Sequence, residues 1–402
     1  MSTETAAPST VLYPPSSTRP EQRFTPDGSE ELERHLEHVC ARVLRGVRGL
    51  VPARQLEAVY LGGGYGRGEG GVLATADGER PYNDLEFYVF LRGNRHANEW
   101  RHARALEVLG EILTANAGAH VEFKIASRAE FARQPVSMFS YDLVAAHRRL
   151  FGAARFFEPC AHHGHAPRIP LAEGTRLLMN RFTGLLLARE RLDAPAFTPA
   201  DADFVRRNLA KAELALGDAV LVAQHRYHWS AKERHRRLRF DLAHGGMPEW
   251  RDAVLRFHAA GVQFKFHPER SGASRETLCE HWEQLAPVGQ LVWLWLEALR
   301  LGTRFPDARA YALDPRPKFP ELRRWRGVLA TLKQSGPRTL LSRDPFEPVR
   351  ERLVRALALL LWAPGALAHP RTLARLQREL QTDAIAAPAF ARAYLRLWER
   401  AR

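Results

Sequence analysis

The sequence predicts an α+β N-terminal domain followed by an all-α helical domain, and three observations carry that division. Short apolar runs with strand character occur only in the first 150 residues, whereas segments with apolar residues at helical spacing dominate from Leu171 onward. Charge divides in the same place. Residues 1–150 carry 18 basic and 19 acidic side chains, a net of −1, and residues 151–402 carry 41 and 26, a net of +15, as expected of two domains with different jobs.

In chain order, residues 1–28 read as a flexible tail rich in Pro, Ser and Thr. Glu30 to Leu50 reads as a helix through Leu32, Leu36, Val39, Val43 and Val47. Strand character follows at Ala58 to Leu61 and Leu85 to Leu91, with a glycine-rich segment between them. A helix is expected at about Ala97 to Ala115, a strand at His120 to Ile125, and a helix at Met138 to Leu150. The domain so defined is 29–151. Residues 152–170, GAARFFEPCAHHGHAPRIP, have the Gly, Pro and His content of a linker. From 171 to 402, helices are expected at about 171–191, 201–227, 231–243, 275–301, 346–363, 371–380 and 387–401.

Composition narrows the class of protein. The 402 residues carry 59 Lys and Arg against 45 Asp and Glu, a formal charge of +14, but only six of the bases are lysine. So arginine-heavy a balance follows from base composition as readily as from selection for a nucleic-acid partner. The three cysteines are far apart and form no Cys-x-x-Cys pair, so neither a disulfide framework nor a zinc ribbon is expected. The N-terminus lacks an apolar signal region and no apolar run approaches membrane-spanning length, so a cytoplasmic protein with no membrane partner is expected.

The chemistry is concentrated in Leu61 to Phe90, LGGGYGRGEGGVLATADGERPYNDLEFYVF. Strand side chains alternate faces, so Asp84 and Glu86 project to one side with Leu85 directed into the core. Adjacent carboxylates repel unless a cation lies between them, which is the arrangement that holds Mg²⁺. Gly62, Gly63 and Gly64 lack a Cβ that would keep a triphosphate from their N–H groups, and Arg67 offers phosphate oxygens a planar fork. Glu122, in HVEFKI, lies on the next strand, where it either completes a metal cluster or takes the proton of an attacking hydroxyl. Gly66, Gly68 and Gly71 fit G-x-G-x-x-G, but the segment that follows is too short and polar for the helix a dinucleotide site needs. No lysine follows the glycines, which excludes a P-loop.

The series GGYGRGEGG, NDLEFYV and VEFKI resembles the nucleotidyltransferase superfamily related to DNA polymerase β, over roughly residues 55–150. That resemblance implies an α+β fold around a small mixed sheet. It implies that Gly63 and Gly64 hold the triphosphate, that Asp84 and Glu86 bind two Mg²⁺, and that Glu122 is the third carboxylate. The reaction it implies moves a nucleoside monophosphate, AMP if ATP is the donor, to an acceptor with pyrophosphate leaving. Gly64 stands where Ser is usual, and nineteen residues separate Gly64 from Asp84, so Val72 to Tyr82 is expected as an extra loop. The acceptor, a small molecule, RNA or protein, is not readable, although a basic helical half suits an anion better than a cation. The alternative is a degenerate or antitoxin-like relative that binds without chemistry.

Other residues remain two-sided. Tyr65 either stacks on a nucleobase or packs the turn, and Glu69 either aids a metal or pairs with Arg67. Lys211 and Asp218 are two helical turns apart, facing the triphosphate and acceptor or simply solvent. Lys232 and Arg234 have surface charge as their default. Cys160, His162, His163 and His165 are too crowded for a zinc finger, and Arg239 to His244 fits the R-x4-H ribonuclease pattern at a spacing chance supplies readily.

Overall fold

The computed structural model describes residues 23–244, 249–270, 272–320 and 348–401, and places no description on the side chains of 241–244 and 401. The chain forms two compact units. The first runs to Ile169 and includes His228–Ala231 and Phe266–Pro268, and the second comprises Pro170–Tyr227, Lys232–Lys265 and Glu269 onward.

In the first unit, α1 (Glu30–Leu50) begins at Ser29, whose side chain accepts the Leu32 N–H, with Glu30, Glu31 and Glu33 at the positive helix end. β1 (Leu56–Leu61) leads into the short turn α2 (Gly63–Gly66). β2 (Val72–Thr75) and β3 (Gly78–Pro81) then form a hairpin of their own, where the sequence suggested a loop. β4 (Leu85–Leu91) is joined by α3 (Arg95–Ala117) to β5 (Val121–Ala126). The short α4 (Arg128–Phe131) and α5 (Met138–Ala145) precede β6 (Arg148–Phe151). The result is a mixed four-stranded sheet of order β5-β4-β1-β6, in which β1 is antiparallel to β4 and β6 while β4 and β5 are parallel. A parallel pair needs a long crossover, and the 23-residue α3 supplies it.

Both faces of the sheet are covered, which explains why β1 and β4 read as continuous apolar runs instead of alternating ones. Leu32, Leu36, Val39, Val43 and Val47 of α1 pack with Val59, Leu61, Phe87 and Val89 on one face. On the other, Ala58, Tyr60, Tyr88 and Phe90 meet Phe131, Leu143, Phe156, Phe157 and Cys160. Three sequence expectations change here. The helix expected to reach Leu150 ends at Ala145, because Arg148–Phe151 pairs with β1. The expected linker 152–170 contributes buried Phe156, Phe157, Cys160 and Ile169 and belongs, through Ile169, to the first unit. Of the expected tail, residues 1–22 lie outside the described residues, but Phe24 and Thr25 are buried and donate their N–H groups to Glu33.

The second unit is helical, with α6 (Leu171–Asp193), α7 (Pro199–Ala223), α8 (Ala231–His244), α9 (Arg251–Phe266), α10 (Arg275–Leu301), α11 (Ala308–Leu313), α12 (Val349–Trp362), α13 (Pro370–Leu380) and α14 (Ala387–Ala401). The sequence did not suggest α9 or α11. Phe182, Trp293, Leu353, Leu357 and Tyr394 lie in its single core. Among the described residues no helix is long and apolar enough to cross a membrane.

His147 gives the first unit a testable pH dependence. Its ring lies edge-on to Tyr60 and Phe157, at 4.7 and 5.0 Å between centroids, and its Nδ1–H donates to Leu143 O at 2.8 Å. Burial lowers its pKa to about 4, against about 6.5 in an unfolded chain. The unfolded chain takes up this proton first, so the stability tied to neutral His147 is complete above about pH 6.5 and is lost as pH falls toward 4. We expect urea unfolding to show a loss on the order of 3 kcal/mol between those limits in the parent that His147→Leu lacks. Equal pH slopes in the two proteins contradict the assignment.

Candidate functional site

Parallel pairing of β4 with β5 sets Glu86 directly beside Glu122, with Leu85 opposite Val121 and Tyr88 opposite Lys124. Residues paired this way share a face, so two carboxylates stand on adjacent strands about 5 Å apart at the backbone. Their repulsion is answered locally. The Lys124 ammonium lies 3.4 Å from Glu86 Oε2 and 3.2 Å from Glu122 Oε2, and the Tyr88 hydroxyl donates to Glu86 Oε2 at 2.7 Å. Burial, and then the Glu86 charge, push the Tyr88 phenol well above its ordinary pKa, which keeps it a donor. Asp84 lies just before β4, exposed, with buried Leu85 between it and Glu86.

The glycine turn reaches the same place. Gly62 N donates to Glu86 O at 2.9 Å, continuing the β1–β4 ladder by one residue. Gly63 has φ +60°, and a Cβ built on it would sit 3.5 Å from Glu86 Cδ, so the turn leaves its backbone open toward that carboxylate. The N–H groups of Gly63 and Gly64 meet no acceptor among the described residues, as expected of the first residues of a helical turn. Gly66 is required for another reason: a Cβ there would fall 2.1 Å from Leu61 O.

The remaining residues of the segment hold the turn. Tyr65, one of the two readings of which was base stacking, is fully buried, with its hydroxyl donating to Gly71 O at 2.7 Å and accepting from Tyr82 N at 2.8 Å. It packs the turn. Arg67, expected as a phosphate fork, donates from Nη1 to Asp142 Oδ2 at 2.8 Å and ties the turn to α5. Glu69 is buried and accepts from Ser230 Oγ at 2.7 Å and Ala231 N at 2.9 Å, both in the first unit. Nothing in the local sequence announces a partner 161 residues away.

Lys211 belongs to the second unit, exposed on α7. Asp218 does not share that exposure. It is buried against Arg234 Nε at 2.7 Å and His258 Nε2 at 3.3 Å, and Arg234 is itself buried instead of lying on the surface. Lys232 is exposed on α8. Cys160 and His163 are buried in the aromatic cluster of the first unit, His163 Nε2 lying 2.9 Å from Phe131 O. In the R-x4-H match Arg239 is exposed, and the His244 side chain lies outside the described residues.

Among the described residues no three His, Cys, Asp or Glu side chains are gathered in metal-holding geometry. The pair Glu86 and Glu122 nevertheless supplies hard oxygen donors around a place where positive charge already sits, and its occupant, Lys124, is a flexible side chain 40% exposed. The chemistry of the two carboxylates fits a cation such as Mg²⁺ once Lys124 swings aside. A cleft of about 760 Å³ runs along β5 past Glu122 and Lys124, with Tyr88, Phe123, Phe131 and Phe139 in its walls.

No protein-family model matches this chain, and no curated protein sequence matches it.

The Arg67–Asp142 pair provides a check on the turn. Both side chains are largely covered, 13% and 19% exposed, so removing one leaves the other partly desolvated. We expect Asp142→Ala to lower the unfolding free energy by on the order of 2 kcal/mol in urea titrations. An unchanged midpoint contradicts the role given to Arg67.

Proposed function

We propose that the first unit is a nucleotidyltransferase domain of the DNA polymerase β type, moving a nucleoside monophosphate, AMP if ATP is the donor, to an acceptor. One observation carries this reading: Glu86, paired in register with Glu122, lies against the positive-φ turn at Gly63. A phosphate-bearing ligand at the turn therefore meets the cation-holding carboxylates at one point.

In this reading Asp84 and Glu86 hold Mg²⁺, with Glu122 beside them. The metal, when bound, neutralises charge on the attacking and leaving oxygens. Gly63 and Gly64 turn their N–H groups to the triphosphate, and Lys124 leaves the carboxylates for the phosphates. The acceptor hydroxyl attacks the α-phosphorus, its proton passes to Glu122, and the bond to the β-phosphate breaks with release of pyrophosphate. The cleft along β5 carries Glu99, Glu107, Glu111, Glu122 and Glu130 against Arg95 and Lys124. That balance suits a neutral or cationic group on the acceptor, in contrast to the anion suggested by the +15 charge of residues 151–402.

A second reading, a nucleotide-binding or regulatory protein without turnover, is favoured by the position of Lys124, which already neutralises the carboxylate pair. Labelled ATP incubated with the protein, Mg²⁺ and cell extract separates the two. We expect Mg²⁺-dependent pyrophosphate release and a labelled acceptor, with Asp84→Asn reducing turnover by about 10³-fold or more. Turnover by Asp84→Asn at the parent rate contradicts the site. Binding of ATP with no pyrophosphate from any nucleoside triphosphate selects the second reading.

A further inference from the structure

The other end of the same sheet carries a site of different character. A pocket of about 610 Å³ opens beside Leu56, where β1 begins, and Arg92, which follows β4. Gly63 and Glu86 lie at the opposite end of these strands, about 20 Å away along the sheet. Three arginines line the pocket from three separate segments: Arg92 after β4, Arg128 at the start of α4, and Arg149 on β6. The lining includes one carboxylate, Glu57.

The three guanidiniums are held to different degrees. Arg128 lies over the Phe156 ring at 5.0 Å and is 3.5 Å from Glu57, so its plane is fixed by stacking and by charge. Arg149 Nη1 donates to Gly152 O at 3.1 Å, on the backbone that turns at φ +114°. The Arg92 side chain is exposed and meets no acceptor among the described residues. Like charges are thus gathered at a concave surface with a residual charge of about two positive units, an arrangement that costs free energy unless an anion shares the space. Phe151 and Phe156 are among the lining residues, and the volume falls in the range of small-molecule sites.

We propose that this pocket binds a small organic phosphate, whose phosphoryl oxygens take paired N–H donors from Arg92 and Arg149. Guanidinium forks match phosphoryl oxygens two at a time, and three of them around one cavity suit a phosphomonoester or diphosphate better than a carboxylate. The site is separate from the carboxylates at the other end of the sheet and needs no metal, so the inference stands whether or not the first unit transfers nucleotides.

The test is calorimetric titration of pyrophosphate, and separately of AMP, into the full chain in EDTA, where the carboxylate end of the sheet repels anions. We expect saturable binding of both. Arg92→Glu, an exposed position whose replacement leaves the circular dichroism spectrum unchanged, weakens it about 10-fold or more. Arg149→Gln weakens it as well, and if that variant fails to fold, Arg92→Glu alone decides. Binding that appears only with Mg²⁺, or that is unchanged in Arg92→Glu, overturns the proposal. So does an absence of binding at millimolar ligand, or binding of a single-stranded RNA 10-mer through Arg92 by a protein that refuses both small anions.

Discussion

Two carboxylates held side by side on neighbouring strands need a positive charge, and much of the first unit is arranged around that requirement. Glu86 and Glu122 are fixed in register by the parallel pairing of β4 with β5. Glu86 stands on a strand whose other residues are buried, and Glu122 on one anchored by buried Val121 and Ile125. Their neighbours answer the charge from the same face: Lys124 reaches both carboxylates and Tyr88 donates a hydroxyl to one. An ammonium on a flexible stem is a more exchangeable answer than a buried arginine.

The glycine turn depends on the same register. Gly62 adds one rung to the β1–β4 ladder at Glu86, and this rung fixes where the chain leaves the sheet and puts Gly63 against the carboxylate. Behind the turn, Tyr65, Arg67 and Glu69 are each committed to an internal partner. The residues with side chains hold the loop, and Gly63 leaves its backbone open beside Glu86. Such division suits a loop that offers backbone N–H groups to a ligand, since a rigid support keeps those groups oriented while they wait.

What the sequence revealed and what it concealed follow from the range of the forces involved. Strands β1 and β4 were legible because both faces of the sheet are covered and their residues are largely apolar, β5 because apolar Val121, Phe123 and Ile125 alternate with Glu122 and Lys124, and α1 because it carries a clear apolar stripe. Asp84, Glu86 and Glu122 stood out because acids in such runs break the pattern. The hairpin of Val72–Pro81 was read as a loop because Gly78, Glu79 and Arg80 are exposed and give it no apolar face. β6 was absorbed into a helix because Arg148 and Arg149 have no strand signature, and only pairing with β1 makes them one. The internal partners of Glu69 and Arg67 were hidden for a related reason. A charged residue beside glycines has the same local sequence whether it serves a ligand or a distant Ser230 or Asp142. Phe156, Phe157 and Cys160 were hidden by the Gly, Pro and His around them, which suggested a linker.

The account rests on Glu86 and Glu122 forming an exchangeable cation site in which Lys124 competes with a divalent ion. Mn²⁺ binding followed by electron paramagnetic resonance on the full chain tests this most directly, because it needs neither the acceptor nor turnover. The account predicts saturable Mn²⁺ binding by the parent, weakened by Glu86→Gln and strengthened about 10-fold when Lys124→Met removes the competing charge. Mn²⁺ affinity that is indifferent to both substitutions, or that falls in Lys124→Met, would contradict it.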